Sequence, residues 1–354
     1  MTKDSNTGSV SRQNPERINI GTGLAIAGMC LSMFIIANDI SAMNVALPSI
    51  EKDFDTDIST VQWVINAYAL FTAMSLVAGG RLADMYGRRK VFFIGTGIFA
   101  SMSFLGGIAQ DVYWLIAARA LMGIGGSLIW PSVLGITFDL LPKSKAGLAG
   151  GLIIGAAGLG QAVGPITGGV LTELLSWRWI QYINVPISVL AITIAWIEVR
   201  ESAAAQTIKK IDYAGILTLS AGLLLLLFAL DQANSWGWTD WRIILSFTAS
   251  AVFITAFILI ERAMKEDALT PPDVFKNKRF LASCAAVAFV MPTFFVSLLY
   301  LPQLMQKLLK FSVLDAGLGL LPMMILYASF SFIQGKLSEK FSQKAVISLG
   351  AFCV

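Results

Sequence analysis

No histidine occurs among the 354 residues, and only 14% of them are charged. The first absence removes the side chain that titrates most readily near neutral pH, so any proton relay must use carboxylates. The second leaves too little polar surface for a wetted globule. With 56% hydrophobic residues, a mean hydropathy of +0.72 and repeated apolar runs of about 20 residues, the chain reads as an all-α polytopic membrane protein. Cysteine is also sparse: Cys30, Cys284 and Cys353 stand in separate apolar runs without metal-ligand or disulfide spacing and read as small buried hydrophobes. HExxH, GxSxG and a Walker A lysine motif are missing. GTGIFA (95–100) fits G-x-G-x-x-A, but it lies inside an apolar span with no strand before it and carries no dinucleotide signal. Enzyme activity, catalytic residues, a metal site and a bound cofactor are therefore not expected.

Apolar spans are expected near residues 21–45, 60–79, 91–109, 112–139, 146–174, 180–199, 213–231, 242–262, 280–304 and 315–334, with another beginning near 345. Ser59 with Gln62 forms an S-x-x-Q capping box, and Asp111, Asp212 and Asp315 are N-cap candidates. The opening MTKDSNTGSVSRQNPERI reads as a cytoplasmic tail before a retained helix, not as a cleaved signal. Of the 26 Lys and Arg residues, 20 fall in that tail and in alternate connections, whereas Arg119 falls inside a span. This bias puts the N-terminus in the cytoplasm. The net charge of +4 thus reflects topology and lends nothing to nucleic-acid binding.

Against this background, GRLADMYGRRK (80–90), on the cytoplasmic side between the second and third spans, is unusually rich in charge and glycine. Arg88, Arg89 and Lys90 taken alone fit a topology anchor. Gly80 and Gly87 permit close backbone approach at a tight hairpin. Asp84, near Arg81, offers a carboxylate to cations or to the positive end of another helix. Such a contact can form and break as helices rock.

The stretch resembles the G-x-L-a-D-r-x-G-r-k-x loop signature of the major facilitator superfamily. The resemblance implies a cytoplasmic latch that closes when the transporter opens outward, with Asp84 meeting the N-terminus of the eleventh span. GKLSEKFSQK (335–344) resembles a degenerate copy, with Glu339 in the acidic position and Ser342 in place of the second glycine, and so implies two related halves. LIAARALMGIGGS (115–127) resembles the fourth-helix motif, with Arg119 as its buried cation. Gly151, Gly160, Gly164, Pro165, Gly168 and Gly169 match G-x8-G-x3-G-P-x2-G-G and resemble the fifth-helix motif of antiporters. Physically, Gly160, Gly164 and Gly168 make one smooth helix face and Pro165 adds a kink; generic small-residue packing is the alternative. NDISAMNVALPSI (38–50), WRWIQYINVPI (177–187) and DYAGILTLSAGLLLLLFAL (212–230) resemble landmarks of the fourteen-helix drug:proton antiporter branch.

Carboxylates are rare within the spans. Asp139, Glu173, Glu198, Asp231 and Glu261 fall near span ends. Asp39 lies six residues from the outer end of the first span, about 9 Å deep, and Arg119 seven residues from the outer end of the fourth, about 10 Å deep. At matching depths the two are candidates for proton coupling and substrate attraction, with a static buried ion pair as the alternative. Phe34, Asn38, Asn44, Gln62, Asn66, Tyr68, Trp130 and Gln161 are candidate cavity-lining residues, each of which could instead serve helix packing.

The expected organisation is a cytoplasmic tail and six-helix bundle (1–200), a linker with two extra transmembrane helices (201–264) and a partial C-terminal bundle (265–354). The expected function is proton-coupled export of amphiphilic or cationic drugs across the cytoplasmic membrane, driven by the proton gradient. A dedicated exporter of one antibiotic or metabolite is the rival, as is a truncated fragment that transports nothing, because the chain ends within the eleventh span. Expected partners are the lipid bilayer, protons, small amphiphilic substrates and, in a source with an outer membrane, a periplasmic adaptor protein.

Overall fold

The computed structural model describes residues 20–142, 145–201, 212–264, 276–327 and 329–330. Among them, nine helices are long and apolar enough to cross a membrane. They are α1 (Ile20–Asp53), α2 (Ile58–Tyr86), α3 (Arg88–Gly107), α4 (Val112–Leu140), α5 (Ala146–Leu174), α6 (Arg178–Glu198), α7 (Tyr213–Trp236), α8 (Trp241–Met264) and α9 (Lys278–Lys307). The shorter α10 (Val313–Gly319) resumes after a turn at Leu320 and continues to residue 327. The repeat at 335–344, with Glu339 and Ser342, and the eleventh span lie outside the described residues, as does Cys353.

Helix existence follows hydropathy, but helix length follows packing. α1 runs eight residues past its apolar stretch because Leu47 and Ile50 pack against Val61, Val64, Leu115 and Trp177, a protein environment that sustains the helix beyond lipid. The expected hairpin at 80–90 is not a loop. α2 continues to Tyr86 and α3 starts at Arg88, so the chain turns on Gly87 alone, at φ 103°, where a side chain would be strained.

Two caps also differ from expectation. Asp57, not Ser59, caps α2: its carboxylate accepts hydrogen bonds from Thr60 N at 3.0 Å and from the Ser59 and Thr60 hydroxyls. Those bonds, the Ser59 one foremost, hold the Asp57 carboxyl below the usual carboxylate range. Ser312 caps α10, and Asp315 answers it from the third position, with Asp315 N donating to Ser312 Oγ and Ser312 Oγ to Asp315 Oδ2. Asp111 and Asp212 cap α4 and α7 as expected, accepting from Trp114 N and Gly215 N.

The packing partners are α1 with α5, α2 with α4, and α3 with both α4 and α6. α7 pairs with α8 and leans on α2, while α9 reaches α1 and α10 reaches α5. Small residues set the tightest approaches. Methyl groups on Gly164 and Gly168 would strike the Ser41 hydroxyl and the Ala42 backbone of α1, so these positions admit no larger residue without separating the helices.

Candidate functional site: the Asp39–Arg119 network

Asp39 and Arg119 are both fully buried, and Arg119 Nη1 bonds Asp39 Oδ2. The depths read from sequence are not equal from the true helix ends. Asp39 lies fourteen residues before the end of α1, about 21 Å, because α1 extends to Asp53, whereas Arg119 lies seven residues into α4, about 10 Å. The pair meets because α1 overshoots its neighbour.

The surroundings of the pair come from five further residues, on α2, α3 and α6. Arg119 Nε donates to the Val64 carbonyl of α2 at 3.1 Å, and its guanidinium lies 4.6 Å from the centroid of the Tyr68 ring. Asn184 of α6 donates to Asp39 Oδ1 at 2.8 Å and approaches Ser103 Oγ of α3 at 2.9 Å. Ser103 in turn donates to Gln181, whose carbonyl oxygen is 2.8 Å away. Asn184, Ser103 and Gln181 were missed by sequence reasoning. Their signal was a polar residue inside an apolar span, which must find a partner at membrane depth.

The network is charge-balanced but not saturated. Arg119 Nη2, Tyr68 Oη, Asn184 Oδ1 and Gln181 Nε2 are buried without a hydrogen-bond partner among the described residues. Unmade hydrogen bonds at such depth leave donors and acceptors for a rearranged state to use.

The candidate lining residues divide. Asn38 donates to Gly160 O and to Thr167 Oγ1, so it fastens α1 to α5. Asn66 donates to Asp231 of α7 at 2.6 Å, and Tyr68 lies beneath Arg119. Asn38 and Asn66 thus make interhelical hydrogen bonds. Asn44 is buried with its Oδ1 unpaired, and Trp130 packs against the core of α1, α3 and α4. Phe34, Gln62 and Gln161 are half-buried.

The fifth-helix glycines face two directions. Gly160, Gly164 and Gly168 meet α1; Gly169 meets Val313 and Leu314; the Pro165 carbonyl meets Gly317; Gly151 is open. Beside them, Lys307 pairs with Glu51 at 2.8 Å, Gln306 donates to the Val45 carbonyl and Leu314 N donates to Glu173. These contacts close α1 and α5 against α9 and α10 on the side opposite Gly87.

At the Gly87 hinge, Arg88 binds Asp84 at 3.1 Å, Asp139 at 3.0 Å and the Gly135 carbonyl, tying together α2, α3 and α4. The Glu201 carboxylate accepts from the backbone N–H groups of Arg89 and Lys90, capping α3, while Arg89 reaches the Trp196 carbonyl. Gly80 is helical, and a methyl group there would make only ordinary contact with Pro131, whereas one on its neighbour Gly79 would strike the Ser127 backbone. Arg81 lies half-buried on the last turns of α2. The eleventh-span partner expected for Asp84 lies outside the described residues.

A family model described as the Major Facilitator Superfamily matches residues 29–354. The chain belongs to the major facilitator superfamily. Among relatives, it is 33% identical over 337 residues to Multidrug resistance protein 3 of Bacillus subtilis (strain 168), covering 94% of this chain and 65% of that one. It is 31% identical over 315 residues to the Tetracenomycin C resistance and export protein of Streptomyces glaucescens, covering 88% and 58% respectively. This major facilitator chain therefore spans about three fifths of the length of those relatives. A crystal structure of peptide transporter POT in complex with sulfate shares the fold, with a TM-score of 0.61 at 16% identity, covering 90% of this chain and 69% of that one.

Proposed function

We propose that the whole protein is a proton-coupled antiporter that exports amphiphilic, chiefly cationic, organic compounds by alternating access, with Asp39 as its proton site. The observation that carries this reading is a fully buried carboxylate whose oxygens are held by Arg119 and Asn184. Protonation would remove the charge facing Arg119 and leave that cation with the Val64 carbonyl and the Tyr68 ring. Unpairing a buried ion pair costs about 3–5 kcal/mol. A two-state equilibrium swings from 1:99 to 99:1 on about 5.5 kcal/mol, so one proton supplies most of a conformational switch. A cationic substrate competes for the same carboxylate, which makes proton and drug exchange for one another.

The Gly87 turn fits the reading: the contacts of Arg88 join α2, α3 and α4 so that they travel together while α9 and α10 move against α1 and α5. The relatives' names, multidrug resistance and export, support the substrate class. Placement in the cytoplasmic membrane with a cytoplasmic N-terminus rests on the positive-inside bias. The dedicated-exporter reading is favoured by one observation, that relatives include a protein named for a single compound, Tetracenomycin C. Competition between chemically unrelated substrates separates the two.

The test is transport by the full-length protein in proteoliposomes. Asp39→Asn is expected to abolish uptake driven by a pH gradient while the protein reconstitutes normally. Full gradient-driven uptake by that variant would remove Asp39 as the coupling site.

A further inference from the structure

The seam between α2 and α7 holds a carboxylate that the coupling reading does not use. Asp231 lies five residues before the end of α7, about 8 Å along the helix, and is half-buried. Sequence reasoning ended this span at residue 231, but the helix continues to Trp236. Asp231 Oδ1 accepts a hydrogen bond of 2.6 Å from Asn66 of α2. Among the described residues no cation pairs with it. An ionisable group inside a membrane span with only a neutral partner is costly, and such groups mark ligand or ion paths.

Aromatic side chains occupy the same seam. Trp63 lies one turn before Asn66 on α2, and Phe228 one turn before Asp231 on α7, so ring and polar group share a face on each helix. The Trp63 and Phe228 centroids are 6.0 Å apart, and those of Phe228 and Trp236 are 5.9 Å apart. Trp236 is 40% exposed, and the Arg242 guanidinium lies 5.1 Å from its ring, so this ring already receives a cation.

Interhelical hydrogen bonding accounts for the Asn66–Asp231 contact. It does not account for a carboxylate without a paired cation on a seam that also holds the Trp63 and Phe228 rings. Carboxylate plus aromatic faces is the chemistry that recognises an organic cation with aromatic substituents. We propose that the α2–α7 seam is a second binding site, for lipophilic organic cations, separate from the Asp39–Arg119 network. Asp231 supplies the charge, Trp63 and Phe228 supply the faces, and Asn66 orients the carboxylate. The site concerns binding alone and does not depend on the export reading.

The experiment uses the full-length protein in lipid nanodiscs and a photoactivatable aryl-azide analogue of tetraphenylphosphonium, with labelled peptides mapped by mass spectrometry. Label is expected on the peptides containing Trp63 and residues 228–236. Unlabelled tetraphenylphosphonium should compete for it, and neutral triphenylphosphine oxide should not. Asp231→Asn keeps the hydrogen bond to Asn66 and removes the charge; it should cut labelling there about tenfold, equivalent to about 1.4 kcal/mol. Asp231→Glu should retain it. Absence of label from both peptides, or equal labelling in Asp231→Asn, overturns the site. Should Asp231→Asn fail to fold, Phe228→Leu takes its place, and unchanged labelling in that variant overturns the site equally.

Discussion

Two arginines in this chain each bind carboxylates, in opposite surroundings. Arg119 and Asp39 are both 0% exposed, whereas Arg88 is 22% exposed and its partners Asp84 and Asp139 are 46% and 45% exposed. The chemistry is the same and the consequences differ. Around Arg88 water screens the charges, so each pair is worth little and three helices are joined by several weak links. Around Arg119 nothing screens them, so the pair is costly to break. Exposure thus leaves the Arg88 site a set of weak fasteners, whereas burial makes the Arg119 pair costly to break.

The largest expected effect comes from breaking the buried pair on one side. Arg119→Leu leaves Asp39 charged and unpaired, and should destabilise the protein by about 3–5 kcal/mol, read as a lowered melting temperature in detergent. Combining it with Asp39→Leu should restore most of that loss, because a well-packed apolar pair is often as stable as a buried ion pair. Failure of the double variant to recover would mean that the network, and not the charge, carries the cost.

Removal of Asn184 probes the buried network at its edge. Asn184→Ala deprives Asp39 Oδ1 of its donor and should cost about 1–3 kcal/mol, measured by the same melting assay. At the hinge, Arg88→Ala should cost only about 0.2–1 kcal/mol for each exposed pair it loses. The smallest effect is the sharpest contrast between the regions. At 1 M salt, where charges are screened beyond about 3 Å, the difference between Arg88→Ala and wild type should shrink to what the hydrogen bond to the Gly135 carbonyl contributes. The Arg119→Leu defect should persist.

Much of this contrast was legible in the sequence. Asp39 and Arg119 were conspicuous because charge inside an apolar span is rare, and the α5 glycines because their spacing repeats at one helical face. The arithmetic that matched their depths was not sound: it ended α1 at residue 45, whereas packing of Leu47 and Ile50 carries the helix to Asp53. Asn184, Ser103 and Gln181 stayed hidden because three polar residues on two helices become one chain of hydrogen bonds only after α3 and α6 pack. The hinge misled in the other direction. Its charge and glycine suggested a loop, but Asp84 and Arg88 stand four apart and pair across it, and Glu201, from beyond α6, caps the new helix.

The most direct test of Asp39 as the switch is proton release. Purified full-length protein in weakly buffered detergent, monitored with a pH indicator dye, should release protons when a lipophilic cation such as tetraphenylphosphonium is added, and Asp39→Asn should release none. Equal release by wild type and Asp39→Asn would contradict the account, because the proton displaced by substrate would then come from another group.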